Sequence, residues 1–280
     1  MKETTMNRRM MFAAMAVATM IGFGDIAQAQ DSTMQQVLDS GVLRVGVTQA
    51  PPWYSKDPMT GEWTSGMAIA MGKAMAADLG VEFQPVEVTW GTAIAALQAN
   101  RIDLMYMLDA TDERKQAVNF PETPLLFYSL AVLARDDLNI TAWADLNDPS
   151  IRISVPSATS MDAFLTANTP DADIQRFPGN SEAIAAFQAG RVDAVTLFHP
   201  PLIAARQRLG TGQIVVPAPV ESRPSSVALR QEPDTAFVDW VNEKIGAYYS
   251  SGQTQQWYED FLTDFGLDPS TVPAVMRERL

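Results

Sequence analysis

Ala93-Ile94-Ala95-Ala96-Leu97-Gln98-Ala99-Asn100-Arg101-Ile102-Asp103-Leu104 returns ninety residues later as Ala183-Ile184-Ala185-Ala186-Phe187-Gln188-Ala189-Gly190-Arg191-Val192-Asp193-Ala194. Eight of the twelve positions are identical, and the rest exchange Leu for Phe, Asn for Gly, Ile for Val and Leu for Ala. Each copy reads as an amphipathic helix ended by Asn100 or Gly190, residues that tolerate left-handed backbone just past a helix end. Apolar runs follow, Ile102 to Leu108 and Val192 to Phe198, and they suit buried parallel strands. A duplicated helix-stop-strand unit is what two similar α/β lobes leave in one chain. Open α/β sheets bind ligands beyond the carboxyl ends of their strands. Asp109 and His199, the residues just after the two strands, are therefore expected to face one cleft.

Working outward, a first strand is expected over Leu43 to Thr48, stopped by Pro51-Pro52, which cannot continue a central strand. The loop that begins there carries Trp53 and Tyr54. A helix from Gly66 to Leu79 precedes a strand from Val81 to Val88, which ends at Thr89-Trp90-Gly91. Thr111 suits the N-cap of a short helix, Asp112 to Val118, that contains Arg114. Tyr128 to Arg135 reads as a strand running from the first lobe into the second, and Ile151 to Val155 opens the second lobe's sheet. Pro156-Ser157-Ala158-Thr159-Ser160 leads into a helix at about Met161. Two helices fill Asp234 to Phe265. The division expected is residues 30–130 with 222–280 as one lobe and 131–221 as the other.

The first 29 residues read as an export leader: Lys2, Arg8 and Arg9, an apolar stretch from Met10 to Phe23, then Ala27-Gln28-Ala29 as a small-x-small cleavage site. No cysteine follows to accept a lipid or form a disulfide. A periplasmic, freely soluble location is the expectation. The net charge of −13 argues against nucleic acid, whose binding rests on Lys and Arg neutralising phosphates. One histidine and no cysteine offer no metal pair, and there is no phosphate loop or nucleophile elbow. No cofactor and no metal are expected.

Arg114 presents a planar fork suited to a carboxylate. Ser157, Thr159 and Ser160 bracket a helix N-terminus, where free N–H groups and the helix dipole favour an anion. Together these predict a carboxylate gripped from both lobes; the plainer alternatives are a surface ion pair for Arg114 and a simple cap for the serines. Trp53 and Trp90 follow strand ends, where aromatics either wall a ligand or fill core. His199 and Asp109 are open to ligand contact, and they are the only general acids available to an enzymatic alternative.

These residues resemble the family 3 extracellular solute-binding proteins, the periplasmic polar amino-acid receptors of ABC importers. The resemblance runs from Leu43-Arg44-Val45-Gly46-Val47 and Pro51-Pro52-Trp53 to the final helices. Its most specific segment is Thr111-Asp112-Glu113-Arg114-Lys115-Gln116-Ala117-Val118-Asn119-Phe120, similar to the family's carboxylate-binding helix. It implies a two-lobed type II periplasmic binding protein fold with two crossovers and the ligand between the lobes. It implies a monomer that captures a small carboxylate-bearing solute and delivers it to an importer permease. By it, Arg114 and Thr159 hold the carboxylate, Trp90 and Trp53 pack on the ligand, and Met107 and Asp109 lie at the cleft. Family members place Asp after the second repeat strand; here that position is Phe198, followed by His199. Periplasmic dehydratases acting on cyclohexadienyl acids resemble the same family and supply the enzymatic alternative.

Overall fold

The computed structural model describes residues 32–277. The leader and its cleavage point near Ala29 lie outside the described residues. The chain opens with α1 (Thr33–Ser40), β1 (Val42–Val47), a hairpin of β2 (Ser55–Lys56) and β3 (Trp63–Ser65), α2 (Met67–Leu79) and β4 (Glu82–Glu87). Next come α3 (Ala93–Gln98), β5 (Leu104–Leu108), α4 (Asp112–Lys115), β6 (Val118–Asn119) and β7 (Leu126–Ala134). β8 (Arg152–Pro156), α5 (Ser160–Asn168), β9 (Asp173–Phe177), α6 (Asn180–Gln188) and β10 (Ala194–Phe198) follow. The chain continues through α7 (His199–Leu209), β11 (Gln213–Val215), β12 (Ser222–Arg230), α8 (Ala236–Ser250) and α9 (Gln253–Asp264).

Both copies of the repeat fold alike. α3 and α6 end at Ala99 and Ala189, and Asn100 and Gly190 take φ of 53° and 66°. The N–H groups of Arg101 and Arg191 then turn back onto the carbonyls of Ala96 and Ala186, both at 2.9 Å. Every residue of β5 and of β10 is buried. Each strand pairs in parallel on one side, β5 with β1 and β10 with β8, and antiparallel on the other, β5 with β12 and β10 with β7. The aspartate of each copy clamps an arginine of the neighbouring strand. Asp103 accepts from Arg44 N at 2.7 Å and Arg44 Nη2 at 2.6 Å; Asp193 accepts from Arg152 N at 3.0 Å and Arg152 Nη2 at 2.8 Å. Hydrogen bonds from Arg152 lower the pKa of Asp193 to about 2. The repeated Asp is thus a structural pin, a role sequence reading left unassigned.

The strands run β4-β1-β5-β12-β7-β10-β8-β9, with β6 on β12 and β11 on β7. β7 and β12 join the two ends of this order. Leu126 to Ser129 of β7 pair with β12, while its Leu130 to Ala134 pair with β10. β12 in turn pairs with β7 through Ser222 to Ser225 and with β5 through Ser226 to Leu229. The helix expected over Asp112 to Val118 is shorter. It stops at Lys115 because Val118 and Asn119 are drawn into pairing with Arg230 and Leu229. Among the described residues no helix is long and apolar enough to cross a membrane.

Candidate functional site

β5, β10, α4 and α5 converge on one cavity, with about 30 Å³ of free space at its centre, room for a water or two. Trp53, Trp90, Met107, Asp109, Arg114, Thr159, Ser160 and Phe198 all line it, joined by Tyr128 and Asn180. Eight of the ten residues expected at the site therefore meet in one place.

Asp109 directly follows β5 and is buried. Its Oδ1 accepts the Tyr128 hydroxyl at 2.6 Å, and its Oδ2 accepts the Ser160 hydroxyl. Burial pushes its pKa up, against the hydrogen bonds of Ser160 and Tyr128 and the charges of Arg114 and Arg223. Burial, and then the Asp109 charge, raise the Tyr128 phenol well above its ordinary value, so it stays a donor. Thr111 caps α4 by accepting from the Arg114 N–H. The Arg114 guanidinium donates to the carbonyls of Asp109 at 3.1 Å and Ala158 at 3.2 Å. Neither Arg114 nor Asp109 makes an ion pair among the described residues.

Across the cavity, Thr159 caps α5: its Oγ1 accepts from the Asp162 N–H and donates to Pro156 O at 2.7 Å. The Trp53 loop is clamped by the first N–H groups of α2, from Met67 to Pro52 O and from Ala68 to Trp53 O, both at 3.0 Å. That clamp requires glycine at position 66, where φ is +112° and a Cβ would lie 2.4 Å from Trp53 O. Trp53 lies 6.1 Å from Tyr128 between ring centroids, and Tyr128 stacks on Phe198 at 3.6 Å. Trp90 Nε1–H donates to Asn180 Oδ1 at 3.0 Å. These two residues are ninety apart and occupy equivalent places before the two repeat copies, so the duplicated units touch through matching positions.

Two expected residues fall elsewhere. His199 begins α7, where Pro200 and Pro201 follow as first-turn residues. Phe198 takes the inward place at the end of β10, and the turn into α7 sends His199 to the opposite side. Its Nδ1 accepts the Ser129 N–H at 3.2 Å, and burial lowers its pKa to about 4. Ser157 lies outside the cavity lining too; its N–H is spent on Phe177 O at 2.8 Å. Sequence reading missed Tyr128 and Asn180. Tyr128 stood at the head of an expected strand that read as buried core. Asn180 carried one signal, its match to Trp90 in the repeat.

Two α/β halves joined by two shared strands, with a cavity of aromatic and polar side chains at the strand ends, fit the two-lobed type II periplasmic binding protein fold. The sequence agrees: residues 43–264 match the bacterial extracellular solute-binding proteins, family 3, and the chain belongs to that family. The L-cystine-binding protein TcyJ of Escherichia coli (strain K12) is 24% identical over 271 residues, 96% of this chain and 99% of TcyJ. The solved structure of the ancestral amino acid-binding protein AncCDT-1, a precursor of cyclohexadienyl dehydratase, is 29% identical with a TM-score of 0.74, covering 82% of this chain and 99% of its own. The cyclohexadienyl dehydratase of Pseudomonas aeruginosa is more distant, 22% identical over 84% of this chain and 88% of the enzyme. By family the chain is a solute-binding protein.

Proposed function

We propose that this protein captures a small amino-acid-like solute in the periplasm by hinge closure and delivers it, as a monomer, to an ABC importer. In this reading the lobes divide where the sequence suggests, near residues 130 and 221, and the shared strands β7 and β12 carry the hinge. A solute that touches both lobes favours the closed form by its differential contacts.

One observation carries the reading. The cavity holds a cation whose hydrogen bonds end on neutral carbonyls and a buried carboxyl group whose hydrogen bonds come from neutral hydroxyls. A zwitterion complements both: its carboxylate meets Arg114 and the Thr159-capped end of α5, and its ammonium meets Asp109. Trp53, Trp90 and Phe198 enclose what lies between. The relatives named for binding cystine and amino acids support the solute class.

The test is a thermal-shift screen of residues 30–280 against amino acids and against carboxylates without an ammonium. A solute at a thousandfold its Kd adds about 4.1 kcal/mol, which raises the midpoint by roughly ten degrees at this size. A hit whose affinity survives Arg114→Ala removes the carboxylate site from this reading.

A further inference from the structure

Asp109 lines two spaces at once, the central cavity and an adjoining groove of about 770 Å³ whose walls include Lys115, Glu122, Glu221, Arg223 and Ser226. The register of the shared strands fixes which side chains look toward their junction. Arg223 stands directly opposite Tyr128 in the β7–β12 pair, and directly opposed residues share one face of a sheet. From that face the Tyr128 hydroxyl reaches Asp109 at 2.6 Å. Ser225, two residues further on and so on the same face, turns its hydroxyl to Met107 Sδ at 3.9 Å. Arg223 therefore projects beside Tyr128 where cavity and groove meet, close enough for its charge to act on Asp109. It is partly buried and makes no hydrogen bond or ion pair among the described residues.

We infer that Arg223 is a second anion receptor, one that takes the distal carboxylate of an amino acid carrying two carboxylates. With the amino-acid-like solute proposed above as its basis, this assignment extends that solute from the cavity past Asp109 into the groove. Arg114 and Arg223 are the two cations whose charges act on Asp109, and the first is already matched to the solute's own carboxylate. A guanidinium left partly buried without a counter-ion is costly, and its planar fork suits a carboxylate. Ser226 adds a hydroxyl without a hydrogen-bond partner to the groove wall, on a residue only 5% exposed. Lys115 lines the groove as a further cation, its Nζ 3.9 Å from Asp112. Glu122 and Glu221 line it too and pair with neither cation; they are the acids available to a distal ammonium.

Two probe pairs that differ only in the distal carboxylate test this: LL-diaminopimelate with L-lysine, and L-cystine with the mixed disulfide of L-cysteine and cysteamine. Both members of a pair have the same length and the same two ammonium groups. Calorimetry on residues 30–280 is expected to show the dicarboxylate of at least one pair bound ~10-fold or more tighter than its partner. Arg223→Gln is expected to bring that pair to parity, and Arg223→Lys, which keeps the charge, to retain part of the preference. A general loss of structure weakens both members alike, so the ratio within a pair reports on Arg223 itself. Parity in both pairs before substitution, binding of neither pair, or a preference that survives Arg223→Gln overturns the assignment. Arg114→Ala keeps the two readings apart. Solute affinity that survives it removes the proximal carboxylate site, whereas parity within the pairs beside an Arg114-dependent affinity removes Arg223 alone.

Discussion

Lowering the pH from 6.5 to 4 charges one buried group whose contribution a single substitution can isolate. His199 is the chain's only histidine, and it is 3% exposed. Burial lowers its pKa from 6.5 to about 4. The unfolded chain takes up a proton near pH 6.5, whereas the folded chain does not until about pH 4. Between those values the unfolded state binds more protons, so stability falls as the pH falls, and the loss is complete below pH 4. At about 1.4 kcal/mol per pH unit, the full loss is about 3 kcal/mol, or roughly 6–12 °C in Tm at this chain length. The carboxylates begin to titrate in the same range, so the assay is a difference. Tm is followed from pH 7 to 4 for the wild type and for His199→Asn, whose side-chain oxygen takes the place of Nδ1 as acceptor for Ser129. The wild type is expected to lose about 3 kcal/mol more than the variant, and the imidazole Cε1 proton resonance to titrate near pH 4. Parallel Tm profiles, or an imidazole that titrates near 6.5, refute the burial argument.

Arg114→Ala is expected to weaken solute binding about 100-fold or more, since each lost charged hydrogen bond is worth about 1.5–3 kcal/mol; calorimetry of the first screened hit checks it, with circular dichroism to confirm the fold. Asp193→Asn removes the charge that receives Arg152 and Arg135 and is expected to cost about 2–3 kcal/mol in urea unfolding. Asp103→Asn at the matching pin behaves alike, and a cost at only one of them would break the equivalence of the two units. Gly66→Ala drives a Cβ into Trp53 O at a positive φ, so a loss of at least ~2 kcal/mol and altered tryptophan emission are expected, measured by denaturant unfolding. Tyr128→Phe takes a donor from the buried Asp109 carboxylate and is expected to lower stability by about 1–3 kcal/mol at neutral pH, with the deficit shrinking as acid protonates Asp109.

The repeat, the paired prolines and the Thr111 and Thr159 caps were legible in the chain because each acts within a few residues. Helical and strand periods, proline's missing N–H and a hydroxyl's reach to the third N–H are local matters. They placed the duplicated helix and strand, the Trp53 loop and the ends of α4 and α5 to within a few residues. Local chemistry marked Arg114 and the Ser157–Ser160 turn as candidates, and the family resemblance singled out Arg114 and Thr159. What Asp109 does was not local. Its partners Tyr128 and Ser160 lie 19 and 51 residues away, and they meet it because β5, β12 and β7 are neighbours in the sheet while α5 faces them from the other end. The roles of Asp103 and Asp193 were hidden likewise, because their arginines sit on strands 59 and 41 residues earlier. His199 was misplaced for a geometric reason. Successive residues of a strand point to opposite faces, and where β10 stops and α7 starts decides whether Phe198 or His199 turns inward. Sequence alone yielded the duplicated units and the family resemblance but not α7 or β12; the order of the strands decided which side chains share the cavity, since hydrogen bonds and burial depend on neighbours in space.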